Sequence, residues 1–169
     1  GTLTSALDMM PTFMELHGAE LPRHVQGKSL CGPLAADGEH HDAVLFGYFG
    51  ADVNFTDGRY TYCRLAKEGS TVHHHTALPQ QNRLREVLPD AEMGPFLQHT
   101  YGIPVYRIPR RSRRHRDAPD HHVIYDLASD PKQTAPVRDD ELDARLAGQL
   151  KSLLERHDAP PCQFERLEL

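Results

Sequence analysis

Leu3, Leu7, Met10 and Met14 recur at the spacing of one helical face, with Ser5 and Asp8 as candidate caps and Gly18 placed to end the helix. Pro11 decides between the caps. Its ring clashes with a carbonyl four residues back in a helix interior but is tolerated in a first turn, so the pattern predicts a helix from about 9 to 17 capped by Asp8. An irregular polar stretch follows to His41. DAVLFGYF, 42–49, is apolar almost throughout and reads as a buried strand. RYTYCRL, 59–65, alternates and reads as its neighbour, with Asp57 and Gly58 supplying the turn between them. Thr71, Val72 and Thr76 predict a third strand over 71–77, RLREVL at 83–88 one or two helical turns, and IPVYRI (103–108) and HVIYDL (122–127) two more strands. RRSRRHRDAPD has no apolar face to bury and reads as a solvated loop. At the end, Leu142, Leu146, Leu150, Leu153 and Leu154 form an apolar stripe behind Asp139 or Asp140 as cap, the clearest helix in the chain. The pattern is that of an α+β fold in which a small antiparallel sheet of about four strands packs with a long C-terminal helix.

Composition narrows the class. A chain of 169 residues is long enough to bury a core of its own. Its 38% hydrophobic fraction, 13 Pro and 12 Gly predict short elements and many connections. The net charge of -5 supplies no basic field for nucleic acid or an anionic membrane, so neither partner is expected. No apolar run approaches the ~20 residues that span a bilayer, and no signal-peptide pattern is present. Cys31, Cys63 and Cys162 are odd in number and widely spaced, which points to a reduced, cytoplasmic setting rather than a disulfide framework. The first residue is Gly, which reads as a processed chain or a piece of a longer one.

Candidate chemistry is sparse. QGKSL, 26–30, has the end of a phosphate-binding loop, but the required first Gly is replaced by Pro22, which lacks an N–H. His73, His74 and His75 are metal-ligand types, yet neighbours on a strand point to opposite faces, so at most His73 and His75 could share an ion, and no nearby Cys or acid completes a site. Polar residues on a strand or pocket rim are the preferred reading, and His40–His41 and His121–His122, which border strands, are read the same way, although clusters distant in sequence could meet in space. Arg110, Arg111, Arg113, Arg114 and Arg116 could contact oxyanions; without interleaved aromatics they read as solvated. No GxSxG elbow and no Cys beside a local His marks a nucleophile.

Three segments, with four motifs in order, carry a resemblance. TSALDMMPTFMELHGAELPRHVQGKSLCGPL is similar to the sulfatase family, of the alkaline-phosphatase-like superfamily, in which Ser, Asp, Pro-Thr and a helix ending in Gly precede Gly-x-Ser-Leu and Pro-Leu. Ser5, Asp8, Pro11, Thr12, Gly18, Gly27, Ser29, Leu30, Pro33 and Leu34 match. FTDGRYTYCRL resembles the family's Asp-Gly-Arg-Tyr-x-Tyr-x-Arg hairpin, and IYDLASDPKQTAPV its Leu-Tyr-Asp-Leu-x-x-Asp-Pro segment. The likeness runs from residue 2 to the final DAPPCQFERLEL.

The resemblance implies the C-terminal portion of such an enzyme without its catalytic half. Family members hydrolyse sulfate esters with a formylglycine made from the Cys or Ser of Cys/Ser-x-Pro-Ser/Ala-Arg beside a divalent cation, calcium, held by acidic residues. Cys31-Gly32-Pro33 imitates that motif, but Leu34 and Ala35 follow and the Arg is absent. No catalytic residue, no metal ligand and no cofactor is therefore expected in this chain, which should be inactive alone. Residues 1–36 would be the tail of the large domain, with an orphaned helix, and 37–169 the small C-terminal subdomain. The implied partner is the missing N-terminal catalytic portion. Leu7, Met10, Phe13 and Met14 are expected to bury against the small subdomain or against a second copy, giving a homodimer through the 7–16 helix. His73, His75, Asn54 and Tyr48 are the candidate substrate-pocket residues, placed to hold the organic part of an ester. The alternative is a self-standing binding or interaction module that coordinates a metal through its His clusters.

Overall fold

A computed structural model describes residues 2–36, 38–78, 88–112 and 119–169. Its helices are α1 (Met9–Leu16), α2 (Cys31–Ala35), α3 (Asp140–Arg156) and α4 (Pro161–Leu167). Its strands are β1 (Val44–Gly47), β2 (Val53–Thr56), β3 (Tyr60–Arg64), β4 (Thr71–Thr76), β5 (Glu92–Gly94), β6 (Val105–Arg111) and β7 (Val123–Asp126). The fold is α+β, as the pattern predicts. One antiparallel sheet has the order β1-β2-β3-β7 and a second, unanticipated one the order β4-β6-β5.

The core lies between the four-stranded sheet and α3. Phe55, Tyr62 and Ile124 project from successive strands onto Leu146, Leu150, Leu153 and Leu154 of the leucine stripe, and Leu167 of α4 closes the end. Asp139 caps α3 by accepting the Leu142 N–H at 2.9 Å. Beneath this layer Arg64 is almost wholly buried. Its guanidinium donates to the carbonyls of Leu167 and Glu168, both at 2.8 Å, and to the Tyr62 hydroxyl at 3.1 Å, while that hydroxyl donates to Asp143 at 3.0 Å. One side chain thus joins β3, α3 and the end of α4.

Three expectations are corrected. DAVLFGYF is not a buried strand: β1 is the sheet edge, Phe46, Tyr48 and Phe49 are exposed, and its partner is β2, which lies between it and RYTYCRL. Asp57 and Gly58 do make a turn, from β2 to β3, where Gly58 takes φ +85° and Asp57 Oδ1 accepts the Tyr60 N–H at 2.7 Å. The irregular stretch to His41 contains α2, and APPCQFERLEL contains α4, with Pro161 in its first turn. Finally, among the described residues nothing covers the apolar face of α1, so the expected burial against the small subdomain is not seen. Leu7, Met10 and Phe13 stay exposed, and Pro11 and Thr12 are the buried positions of that helix. The helical turns read at 83–88 fall outside the described residues except for Leu88, and so do Arg113, Arg114 and Arg116.

Segments 2–36 and 38–169 are tied together. Thr2 Oγ1 donates to the Gly38 carbonyl at 3.0 Å and Lys28 Nζ to the His40 carbonyl at 2.8 Å, while within the second segment Arg156 at the end of α3 pairs with Asp42 at 2.9 Å. The resulting corner, where the start of α1 meets the loop ahead of β1, holds the most concentrated chemistry in the described residues.

Candidate functional site

Asp8 is the centre of that corner and is fully buried. A tight turn over Ser5–Asp8 folds its carboxylate back so that Oδ2 accepts the Ser5 N–H at 2.7 Å, while Oδ1 accepts the Lys28 N–H at 3.0 Å. Gly27 permits the second bond. A Cβ at that position would run into the Leu7 carbonyl and lie 2.9 Å from the Asp8 nitrogen, so only glycine lets the 27–30 segment approach. One turn along, the Thr12 hydroxyl donates to the Asp8 carbonyl and accepts the Leu30 N–H at 2.9 Å.

Two imidazoles complete the cluster. His41 Nε2 stands 2.9 Å from both Asp8 oxygens, and His40 Nε2 stands 3.2 Å from Oδ2. The rings meet edge to face, centroids 4.4 Å apart at 69°. Their side chains are 4% (His40) and 14% (His41) exposed. His40 Nε2 is within ion-pairing distance of the carboxylate but off the direction of a hydrogen bond, and this buried nitrogen has no hydrogen-bond partner. Burial, the largest influence on Asp8, pushes its carboxyl up. The combined Lys28 and Ser5 N–H bonds and the adjacent His41 outweigh it and hold the group down at about 2. Asp8 is therefore an ionised carboxylate facing two imidazole nitrogens in a nearly dry site.

A cavity of about 220 Å³ opens beside Asp8 and His41, lined also by Ser5, Gln26, Leu45 and His157. His157, which ends α3, has Nδ1 3.3 Å from Gln26 Oε1, and burial with the nearby Arg156 and His41 lowers its affinity for a proton.

The residues singled out from sequence lie elsewhere. His73 and His75 share one face of β4, ring centroids 6.2 Å apart. His75 lies against Phe96, over which Arg107 stacks at 4.0 Å while pairing with Glu92. Burial chiefly, and then Arg107 or the neighbouring His73, lowers the proton affinity of both imidazoles. His74 turns to the opposite face and meets Phe49 at 5.4 Å. Tyr48 is 88% exposed beyond the end of β1, and Asn54 pairs with Cys63 and Phe46 in the other sheet. The structure thus joins His73 to His75 but gathers neither Tyr48 nor Asn54 to them. His121 and His122 separate as well: His121 pairs with exposed Asp120 at 2.7 Å, whereas His122 Nδ1 accepts the Leu65 N–H at 3.2 Å.

Sequence reasoning places Asp8 as a helix cap and His40–His41 as polar residues beside a strand. The alternation that splits neighbours onto opposite faces does not apply to this pair, because the strand begins only at Val44. The available signal is the doublet of histidines in a loop, together with a glycine that anchors that corner to Asp8. Comparison with protein-family models and with curated proteins finds no match to this chain.

Proposed function

We propose that this chain is the C-terminal portion of a sulfatase-type sulfuric ester hydrolase, completing the fold and one wall of the substrate pocket and inactive by itself. The observation that carries the reading is that the segments resembling that family engage one another through the residues that make the resemblance. Asp8 and Thr12 accept the Lys28 and Leu30 N–H groups, the close approach needs Gly27, and Arg59 of the hairpin bonds Asp126 of the IYDL segment at 3.1 Å. Tyr62 and Arg64 of the same hairpin lock the C-terminal helices.

The family's catalytic groups do not fit these residues. Cys31 is the first residue of α2 and no arginine follows it at the required spacing. Calcium takes about six to eight oxygen ligands, and the buried cluster offers one carboxylate and two imidazoles. Formylglycine and calcium would come from the catalytic portion. That portion would also cover the exposed face of α1, where Leu7, Phe13 and Leu16 stand uncovered. In its absence a second copy takes that place. His73 and His75 would contact the organic part of the ester, whereas Asn54, in the other sheet, and Tyr48, beyond the end of β1, are not gathered to them. Cys31, Cys63 and Cys162 are free thiols, in keeping with a reducing cytoplasmic setting. Among the described residues no helix is long and apolar enough to cross a membrane.

Genomic sequence upstream tests the reading. A continuous reading frame encoding Cys-x-Pro-Ser-Arg supports it, provided the intact product cleaves an aryl sulfate and the present chain does not. Turnover by the present chain alone overturns it. A second reading, a self-standing metal-binding module, is favoured by the convergence of Asp8, His40 and His41; a Met start preceded directly by stop codons would decide for it.

A further inference from the structure

We propose that Asp8, His40 and His41 bind one divalent first-row transition-metal ion of the zinc class. The inference does not rest on the hydrolase reading. One ligand atom from each residue lies within 4.8 Å of the other two. The separations of 2.9 Å and 3.2 Å from imidazole nitrogen to carboxylate oxygen match neighbouring corners of a coordination shell with bonds of about 2.0–2.2 Å, whose edges are about 2.9–3.5 Å. Two imidazoles with one carboxylate form a nitrogen-rich set that suits zinc, cobalt or iron(II) and not calcium or magnesium.

Three observations separate this cluster from an ordinary buried ion pair. His40 Nε2 is buried, 3.2 Å from the carboxylate and without a hydrogen-bond partner, an arrangement that costs stability unless something accepts its lone pair. His41 Nε2 is equidistant from both carboxylate oxygens, where a single proton would draw it towards one. Each oxygen of Asp8 already accepts one backbone N–H, from Ser5 or Lys28, which orients the carboxylate and leaves its remaining lone pairs facing the imidazoles. Lys28 Nζ fixes the backbone between the two histidines from outside. On binding, each imidazole coordinates the ion through its Nε2 lone pair as the neutral ring and keeps its one ring proton on Nδ1. The cavity beside His41, with Gln26 and His157 across it, leaves room for water on the open side of the ion.

The test uses the full chain, stripped with a chelator and titrated with Zn²⁺ by calorimetry and with Co²⁺ by visible absorption. One equivalent binds, raises the melting temperature and gives cobalt d–d bands. His40→Ala and His41→Ala each weaken binding about tenfold or more, whereas the double variant His73→Ala/His75→Ala leaves it unchanged. Because His40 Nε2 makes no hydrogen bond, His40→Ala keeps the circular dichroism of the parent and decides the matter even if His41→Ala unfolds. A folded chain that binds no stoichiometric ion, or binding that survives His40→Ala or is lost in the His73→Ala/His75→Ala variant, overturns the proposal.

Discussion

Gly27 shows how one residue can be required without any unusual backbone angle. Its lack of a side chain lets the Lys28 N–H reach Asp8, and Gly27→Ala forces the two backbones apart. We expect it to cost about 1–3 kcal/mol or more in urea unfolding, an overpacking penalty joined to a lost charge-assisted hydrogen bond. His122 provides a pH dependence. Burial, with Arg64 nearby, lowers its proton affinity below the usual 6.5, and its Nδ1 must stay unprotonated to accept the Leu65 N–H. A group whose folded pKa is depressed gives stability that is complete above its unfolded value and lost as pH falls through the folded one. The melting temperature should therefore decline below about pH 6.5, and His122→Asn should flatten that decline. At this scale the sequence was only partly legible. Pro11 favours Asp8 over Ser5 as the cap, yet the Ser5 side chain accepts the Leu7 N–H and Asp8 makes no capping bond to α1; a cap and a buried carboxylate that accepts N–H groups from two segments share the same local signature. The second role needs residues 20 and 33 positions away, which no local pattern encodes.

Among the elements, those with strong periodicity were readable. The leucine stripe gives α3 because four of its five positions are buried against the sheet, and β4, β6 and β7 follow β-branched runs. Where reading failed, the runs were short or ambiguous. β2 has four residues, and the apolar DAVLFGYF looked like the interior of a sheet although it forms the edge, with aromatic side chains left on the surface. Helix α4 is seven residues long and is held by tertiary contacts rather than by propensity. Arg64 supplies the principal one. Arg64→Lys keeps the charge but cannot reach the carbonyls of Leu167 and Glu168 together with the Tyr62 hydroxyl. It should cost about 1.5–3 kcal/mol and, in hydrogen exchange, expose α4 before α3. Leu150→Ala should cost about 2–5 kcal/mol, because the side chain is fully buried between sheet and helix; a value under 1 kcal/mol would mean that the stripe is not the core.

For the molecule as a whole, the uncovered face of α1 sets an expectation for behaviour in solution. Its apolar side chains are exposed while the helix itself is anchored through Thr12 and Asp8. Light scattering of the purified chain should show association that rises with concentration. Phe13→Glu with Leu16→Lys should abolish it while changing stability by no more than about 0.5 kcal/mol, since neither side chain is buried. A chain that stays monomeric at every concentration contradicts that expectation. The α+β class and the sheet-and-helix core could be read in advance because they follow from periodicity; how α1 joins the rest could not, because it depends on contacts with Gly27 and the histidine doublet.

The Arg64 knot has a consequence for synthesis. Two of its three acceptors lie 103 and 104 residues further along, the third being Tyr62 on the same strand, so on the ribosome the β2–β3 hairpin emerges long before the carbonyls that complete the pairing of its buried guanidinium. Until then β3 carries an incompletely paired cation on the side destined for the core. Long-range pairing of this kind slows folding and prolongs the life of open intermediates. A growing chain stalled before residue 167 should therefore be an early target for chaperones and proteases, whereas the completed one is not.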